Sequence, residues 1–578
     1  MKATDLIANI LKKNSLKCAF GLQGGAVVHI FDSLVKNKIK VIFTHHEESA
    51  ALAATANAKL TNEIGCAVVT TGPGSTNAIT GLLAAWQDSV PVIFISGQAR
   101  SNHTSYGKKV RQVGTQEVNI CDIIRPISKY SKFISKKEDI LKEFNKAILI
   151  AKSGRPGPVW LDLALDIQWS EIKIKKNNIK KISVRKNPIK STDVKKAIKL
   201  INKSEKPLFV LGYGLRSSNY NIKKLKNFFD KSQIPFVLTW NSMDLFPTNY
   251  SNNLGIIGMS GQRGANKAIF SSDLIICIGT HLSIPHTTTL YESYAHNAKK
   301  IIINIDNDQL KNLNVNFDLK ILANLENFLD SIHNKIKIKK NNYLFNFKSL
   351  NWYEPKKSSY INSNTFIRKI TKLTQENTCV IIDGGGTALY AGFQSGYVKS
   401  KMRYICSSAI SSMGTGLAET IGSHESKLFK KFLCIIGDGS FLMNCQDLQT
   451  IFQEKINVII ILVNNNGYLA IRHTQKEFLN KRYIGTQAPK DISFPNFKDL
   501  AKAFKIKHIK IKKNSEMENF IKRSSTIKGP LICEIITSEE QDSLFKQGYK
   551  KNIDNTYSPV DLSEMYPFVE KPIANTNN

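Results

Sequence analysis

The stretch Phe432-Leu433-Cys434-Ile435-Ile436-Gly437-Asp438-Gly439-Ser440 decides the fold. Five consecutive apolar residues with no polar alternation predict a strand covered on both faces, and such strands belong to parallel sheets. The Gly-Asp-Gly that ends the strand is a turn at which backbone N–H groups approach an anion, with a helix N-terminus behind them. Ser440 through Val463 span 24 residues, and Asn464-Asn465 then ends a second apolar run, Val458–Val463. An Asp and an Asn at two strand ends supply hard oxygen ligands of the kind Mg²⁺ takes. Gly-Asp-Gly alone is more often an ordinary turn. The paired Asn at this separation points instead to a diphosphate–metal site.

Working outward, runs of the same kind recur at Ala67–Thr71, Pro91–Ser96, Pro207–Leu211, Leu274–Ile278, Ile301–Ile305 and Val380–Ile382, separated by stretches of helical period. This alternation predicts an α/β protein of doubly wound parallel sheets. Two lysine-rich stretches without helical period, Ile172–Lys190 and His333–Lys357, read as linkers. They divide the chain into three expected domains of similar size, 1–170, 190–332 and 358–550, with a tail at 551–578.

The 578 residues carry 81 Lys+Arg against 46 Asp+Glu, a formal charge of +35. Such a charge suggests nucleic acid or an anionic membrane as partner. However, only 12 of the 81 are Arg, and Arg is the residue that reads bases and phosphates with a bidentate fork. The surplus Lys sits among Asn and Ile and reads as a solvated surface, so neither nucleic acid nor membrane is expected. The nine Cys form no Cys-x-x-Cys pair and mostly lie in apolar runs, as reduced buried thiols do. With no signal-peptide core after Met1 and no apolar run near 18 residues, a soluble, cytoplasmic protein is expected.

The first unit repeats the pattern of chemistry at strand ends. His45-His46-Glu47-Glu48-Ser49-Ala50-Ala51 follows the apolar run Val41–Thr44, and Thr70-Thr71-Gly72-Pro73-Gly74-Ser75-Thr76-Asn77 follows another. Two acids at a helix start are ordinarily there for the helix dipole. Taken with Gly-Asp-Gly…Asn-Asn, and with Phe20-Gly21, Gly24-Gly25-Ala26, Asp88-Ser89, Ser96-Gly97-Gln98 and Gly154-Arg155-Pro156-Gly157-Pro158, they resemble the thiamine diphosphate enzymes of the acetolactate synthase-like family. The resemblance is colinear over about residues 1–540.

What the resemblance implies is specific. Glu47 is the carboxyl that activates the cofactor, in a setting made apolar by Ala50, Ala51, Ala53 and Ala54. Thr70, Pro73 and Asn77 line the pyrimidine end, and Met413 supports the folded cofactor from beneath. Gly385, Gly386, Gly437, Asp438, Gly439, Ser440 and Tyr468 hold the diphosphate, and Asp438, Asn465 and the backbone of Gly467 bind Mg²⁺. Gln116 contacts the substrate. The implied reaction is decarboxylation of a 2-oxo acid such as pyruvate, with transfer of the acyl unit to a carbonyl acceptor. The implied assembly is a homodimer or homotetramer with active sites between subunits.

The chain departs from the family on the substrate side. Thr115 stands where the family has an aromatic residue, Thr474 where it has a Trp, and Leu22-Gln23 where it has Tyr-Pro. Loss of bulk around one site favours a larger acceptor, and resemblance to a branch linked to surface-sugar biosynthesis suggests a sugar-nucleotide ketone; simple decarboxylation is a further alternative. In the central unit, Gly212-Tyr213-Gly214 and Gly258-Met259-Ser260-Gly261 resemble an FAD-binding domain. The family's two arginines are missing from Gly279-Thr280-His281-Leu282-Ser283-Ile284-Pro285, which weighs against FAD.

Overall fold

The computed structural model of the chain describes residues 1–173, 188–337, 343–356, 358–554 and 556–568. The first sheet is built from β1 (Cys18–Gly21), β2 (Lys40–Phe43), β3 (Gly65–Val69), β4 (Val92–Gln98), β5 (Tyr130–Ile134) and β6 (Val159–Ala164). The second contains β7 (Pro207–Leu211), β8 (Phe236–Leu238), β9 (Asn253–Ile256), β10 (Leu274–Ile278), β11 (Lys299–Asn304) and β12 (Leu319–Leu322). The third contains β13 (Thr378–Ile382), β14 (Arg403–Ile405), β15 (Lys431–Gly437), β16 (Val458–Asn464), β17 (Lys507–Ile511) and β18 (Leu531–Ile536). Every pairing inside the three sheets is parallel, with helices on both faces, as the continuous apolar runs require. In β15 and β16 only the last residue of each strand is less than fully covered, and those residues are Gly437 and Asn464.

The first and third sheets are wound identically, β2-β1-β3-β4-β6-β5 and β14-β13-β15-β16-β18-β17. The middle sheet runs β12-β11-β10-β7-β8-β9, the order of dinucleotide-binding folds. Helix Glu47–Thr61 follows β2, and helix Thr415–Glu425 holds the corresponding place after β14. These two helices pack against each other and join the outer units. The contact is possible because the facing residues are small: a Cβ on Gly422 would stand 1.9 Å from the Ala53 carbonyl oxygen. Asn57 Nδ2 donates to the Gly422 carbonyl at 3.1 Å across the same seam.

At the far end of helix Glu47–Thr61, Lys59 is buried and pairs with Asp88 at 2.7 Å. Its ammonium also donates to the Cys406 carbonyl oxygen at 2.8 Å, and Asn241 Nδ2 donates to the other Asp88 oxygen at 2.9 Å. Burial alone would depress the Lys59 pKa, but the Asp88 and Glu419 charges reverse this and raise it. One buried cluster thereby ties all three units.

Two stretches expected to be featureless are folded. Leu344–Asn351, within the second expected linker, is a 3₁₀ helix against helix Arg263–Ser271, where Asn351 Oδ1 accepts the Ala265 N–H at 3.1 Å. The expected tail boundary at 550 falls inside an antiparallel hairpin of β19 (Tyr549–Lys551) and β20 (Tyr557–Pro559). Beyond it Leu562 and Met565 are buried. Residues 174–187 of the first expected linker, and 338–342 and 357 of the second, lie outside the described residues. All nine Cys are free, and eight are buried.

The seam yields a test of the packing. Gly422→Ala forces a methyl into the Ala53 backbone, and overpacking of this kind costs about 1–3 kcal/mol. The expected result is a lower midpoint in urea unfolding than wild type, with a larger loss for Gly422→Val.

Candidate active site

The carboxyl ends of the third sheet build a wall of backbone and carboxylate. Asp438, almost fully buried, accepts the Gly439 N–H on Oδ1 at 2.8 Å. Its Oδ2 accepts the N–H groups of Asn465 and Gly467, each at 3.1 Å. The carboxylate thus laces the turn after β15 to the turn after β16. Burial pushes Asp438 up to about 6, opposed by those three N–H donors. Gly467 adopts φ 141°, in the left-handed half of the map, and a Cβ there would stand 2.1 Å from the Thr486 carbonyl oxygen. Only glycine fits.

A second carboxylate, which the sequence reading passed over, does the same for the turn after β13. Asp383 is fully buried and accepts the Gly385 N–H at 2.8 Å and the Gly416 N–H at 2.9 Å. Burial raises its pKa, against hydrogen bonds from those amides and the Ser440 hydroxyl. The signal for it was present: an acid between the apolar run Val380–Ile382 and three successive glycines. Gly385 lies against Ser440, with a Cβ there meeting Ser440 Oγ at 2.1 Å, and Gly439 lies against the Tyr468 ring, where a Cβ would stand 2.2 Å from Cε1. A Cβ on Gly437 would meet nothing within 4 Å, so space opens directly above the end of β15.

That space is a cavity of about 1070 Å³. Gly385, Gly386, Met413, Gly437, Asp438, Gly439, Ser440, Asn465, Gly467 and Tyr468 all line it, so the structure brings together every residue expected at the diphosphate end. Its far side is formed by Thr474, Phe478 and the hairpin residues Tyr549 and Tyr557. Phe478 meets both tyrosines edge to face, at 6.2 and 5.9 Å between centroids. Thr115 and Leu22, the other departures on the substrate side, do not line the cavity.

Arg472 is buried beside Asn465, the asparagine expected at the metal, and is the other residue whose role the sequence reading missed. It donates to the Asn465 carbonyl at 2.8 Å, to Asn465 Oδ1 at 3.3 Å, to the Thr486 carbonyl at 2.7 Å and to the Glu539 carbonyl at 3.1 Å. The donor set of Asp438, Asn465 and nearby carbonyls is oxygen only, and the three N–H groups on Asp438 fill Oδ2 but leave Oδ1 one acceptor site for a cation. These residues therefore fit Mg²⁺ and a diphosphate. Among the described residues there is no group of three or more His, Cys, Asp or Glu that could hold a metal ion by itself.

The pyrimidine-end residues assemble separately around Glu47, the first residue of helix Glu47–Thr61 and nearly fully buried. Asn77 Nδ2 donates to Glu47 Oε2 at 3.0 Å, and Oε1 lies beside Gly74, where a Cβ would stand 3.3 Å away. Ala50, Ala51, Ala53 and Ala54, further along the same helix, are fully buried. Thr70 packs on Gly24, where a Cβ would stand 2.5 Å from Thr70 Cβ, and a Cβ on Gly72 would stand 2.3 Å from the Gln116 carbonyl oxygen. Glu48 faces Asn444, with its pKa raised by burial. Pro73, Asn77 and Gln116 are exposed in the single chain. None of Glu47, Thr70, Pro73, Asn77 or Gln116 lines the cavity.

In the middle unit the residues do not fit a flavin diphosphate. The glycines after β7 face the loop after β10: a Cβ on Gly212 would meet the Gly279 carbonyl oxygen at 2.2 Å, and one on Gly214 would meet Gly279 Cα at 2.7 Å. His281, in place of an arginine, is pushed down to about 4 by burial and by the Arg155 charge, so it is neutral at pH 7. Arg155 itself is engaged by Asp306 at 3.3 Å and Gln309 at 3.2 Å.

Comparison with known proteins bears on the whole chain. Residues 1–123 match the thiamine pyrophosphate enzyme N-terminal TPP binding domain, residues 194–332 the central domain, and residues 384–535 the C-terminal TPP binding domain. The acetolactate synthase large subunit of Haemophilus influenzae is 30% identical over 561 residues, covering 94% of this chain and 96% of that protein. A probable acetolactate synthase large subunit of Methanocaldococcus jannaschii is 30% identical, covering 93% and 92%. The acetolactate synthase large subunit of Lactococcus lactis is 29% identical, covering 94% and 93%.

Arg472 gives this site its test. Replacing it by Met removes the donors on Asn465 while keeping bulk, and loss of such outer partners costs about 10–100-fold in ligand affinity. Titration of intrinsic fluorescence with thiamine diphosphate and Mg²⁺ is expected to show that weakening.

Proposed function

Because the chain belongs to the thiamine pyrophosphate enzyme family, we propose that it decarboxylates a 2-oxo acid, pyruvate foremost, and transfers the two-carbon acyl unit to a carbonyl acceptor. The observation that carries the reading is the Glu47 carboxyl: buried, in the first turn of a helix, with Asn77 on one oxygen and the other beside Gly74. Thiamine diphosphate, when bound, supplies the electron sink that decarboxylation of a 2-oxo acid requires. The chain's own groups do the rest. Asn77 fixes Glu47 Oε2, so the proton is held and passed at Oε1. Asp438, Asn465 and the Gly467 backbone would hold Mg²⁺, which would neutralise the diphosphate, and Met413, which lines the cavity, would support the ligand. Gln116 contacts the substrate. FAD takes no part.

A second copy of the chain completes the site. Support comes from the separation described above: the Glu47 group and the cavity do not meet within one chain, and Pro73, Asn77 and Gln116 are exposed. An isologous dimer brings each group to the other copy's cavity, giving two equivalent sites; a homotetramer doubles this. The free cysteines accord with a cytoplasmic protein. No described helix is long and apolar enough to cross a membrane.

For the acceptor, the relatives' names point to acetolactate formation, in which a second 2-oxo acid is the acceptor. One observation favours a larger ketone, such as a sugar-nucleotide: Thr474 lines the cavity, and Phe478, Tyr549 and Tyr557 extend it beyond the diphosphate wall. Incubating the holoenzyme with pyruvate separates the readings. Acetolactate supports the first, and acetaldehyde with CO₂, converted to a branched product when a larger ketone is added, supports the second. Glu47→Gln is expected to slow pyruvate turnover about 10²–10⁴-fold. Wild-type turnover by that variant, with cofactor added, would refute the mechanism.

A further inference from the structure

A buried polar network in the first unit converges on Asp162, a fully buried residue of β6 that the site above does not use. Its Oδ1 accepts from the Ser96 hydroxyl at 2.6 Å. Its Oδ2 accepts from Gln98 Nε2 and from the Tyr106 hydroxyl, each at 2.9 Å. Gln98, the last residue of β4, spends the rest of its amide on backbone. Nε2 also donates to the Val118 carbonyl at 2.8 Å, and Oε1 accepts the Ala99 N–H at 2.8 Å. Thr71 Oγ1 lies 2.9 Å from Gln98 Oε1 and 3.1 Å from the Gln116 carbonyl oxygen.

The chain is therefore gripped on both sides of residue 117. Glu117 itself closes the loop, taking the Ser105 hydroxyl and the Val113 N–H at 2.9 Å each. Between these grips Gln116 has φ 57°, in the left-handed region that a residue with a Cβ occupies at a cost. Such a conformation persists where neighbours over-determine it, and here Gly72 and the Thr71 hydroxyl sit directly on the Gln116 carbonyl. The single Thr71 proton is shared between Gln98 Oε1 and the Gln116 carbonyl, while the Asp162 carboxylate and the Gln98 amide are held by several partners each, and a buried network of this kind is stiff because breaking a member strands its neighbours.

We propose that Gln98, clamped by Asp162, is a positioning residue for the substrate: it sets the backbone around Gln116 so that the Gln116 side chain meets the 2-oxo acid. The proposal rests on the reading of Gln116 as substrate contact. Gln98 touches no ligand and acts only through the Val118 carbonyl, which it holds directly, and the Thr71 hydroxyl, which lies between it and the Gln116 carbonyl.

Steady-state kinetics of the holoenzyme with pyruvate test it, using Gln116→Ala, Gln98→Met, the double variant and Tyr106→Phe. Loss of one hydrogen bond to the substrate is expected to raise KM for pyruvate about tenfold in Gln116→Ala. Gln98→Met is expected to reproduce that rise with kcat nearly unchanged, and the double variant to be no worse than either single one. Tyr106→Phe, which removes one donor from Asp162 and leaves Gln98 intact, gives a smaller rise in the same constant and serves where Gln98→Met does not fold. An unchanged KM in Gln116→Ala would bring down the substrate-contact reading itself. A raised KM there, with no rise in Gln98→Met or Tyr106→Phe, or with multiplying effects in the double variant, overturns the positioning role alone.

Discussion

The rest of the molecule depends on how closely helix Glu47–Thr61 is approached by its neighbours. Gly81 would place a Cβ 2.3 Å from Ala51 Cβ, Gly422 one 1.9 Å from the Ala53 carbonyl, and Gly65 one 2.4 Å from the Ala54 carbonyl. Three elements, from two different units, meet this helix at backbone distance. Side chains larger than alanine on the helix, or than hydrogen on its partners, would push them apart. The alanine run first looks like an apolar jacket for Glu47. It is equally a spacer, and it sets where Glu47 stands relative to both units.

Loop geometry at the site is governed by buried carboxylates rather than by hydrophobic contact. Asp383 and Asp438 each accept backbone N–H groups from two separate turns. Burying a carboxylate is costly unless it is well hydrogen-bonded. The raised pKa of both shows that the donors offset the burial only in part. A cation at the Asp438 side would complete the compensation, which is the usual condition of an active site whose groups are arranged for a ligand.

Much of this was legible in the sequence because the signals were local. Strands covered on both faces read as unbroken apolar runs, so all nine runs singled out overlap strands of the three sheets. Gly-Asp-Gly, Asn-Asn and the His-Glu helix start lie at strand ends, where short peptides carry the chemistry. What escaped notice depends on contacts between distant residues. Arg472 reads as one more charge on a helix until Asn465, Thr486 and Glu539 are seen around it. Leu344–Asn351 lies in a stretch whose lysines resemble a linker, and a 3₁₀ helix lacks the 3.6-residue period that betrays an α-helix. The hairpin Tyr549–Tyr557 exposes its aromatics, so it shows no inward face to detect.

The Lys59 cluster bears on how the chain can be taken apart. Lys59 and Asp88 come from the first unit, Asn241 from the second and Cys406 from the third, and the ion pair is shut away from water. Removing one partner of such a pair strands a charge in the interior. Although three sheets invite dissection into three modules, a cut between them would leave polar groups of each fragment without their partners at a newly wetted surface. The two identically wound outer sheets make the chain look modular, yet the buried Lys59 cluster fastens all three units to one another.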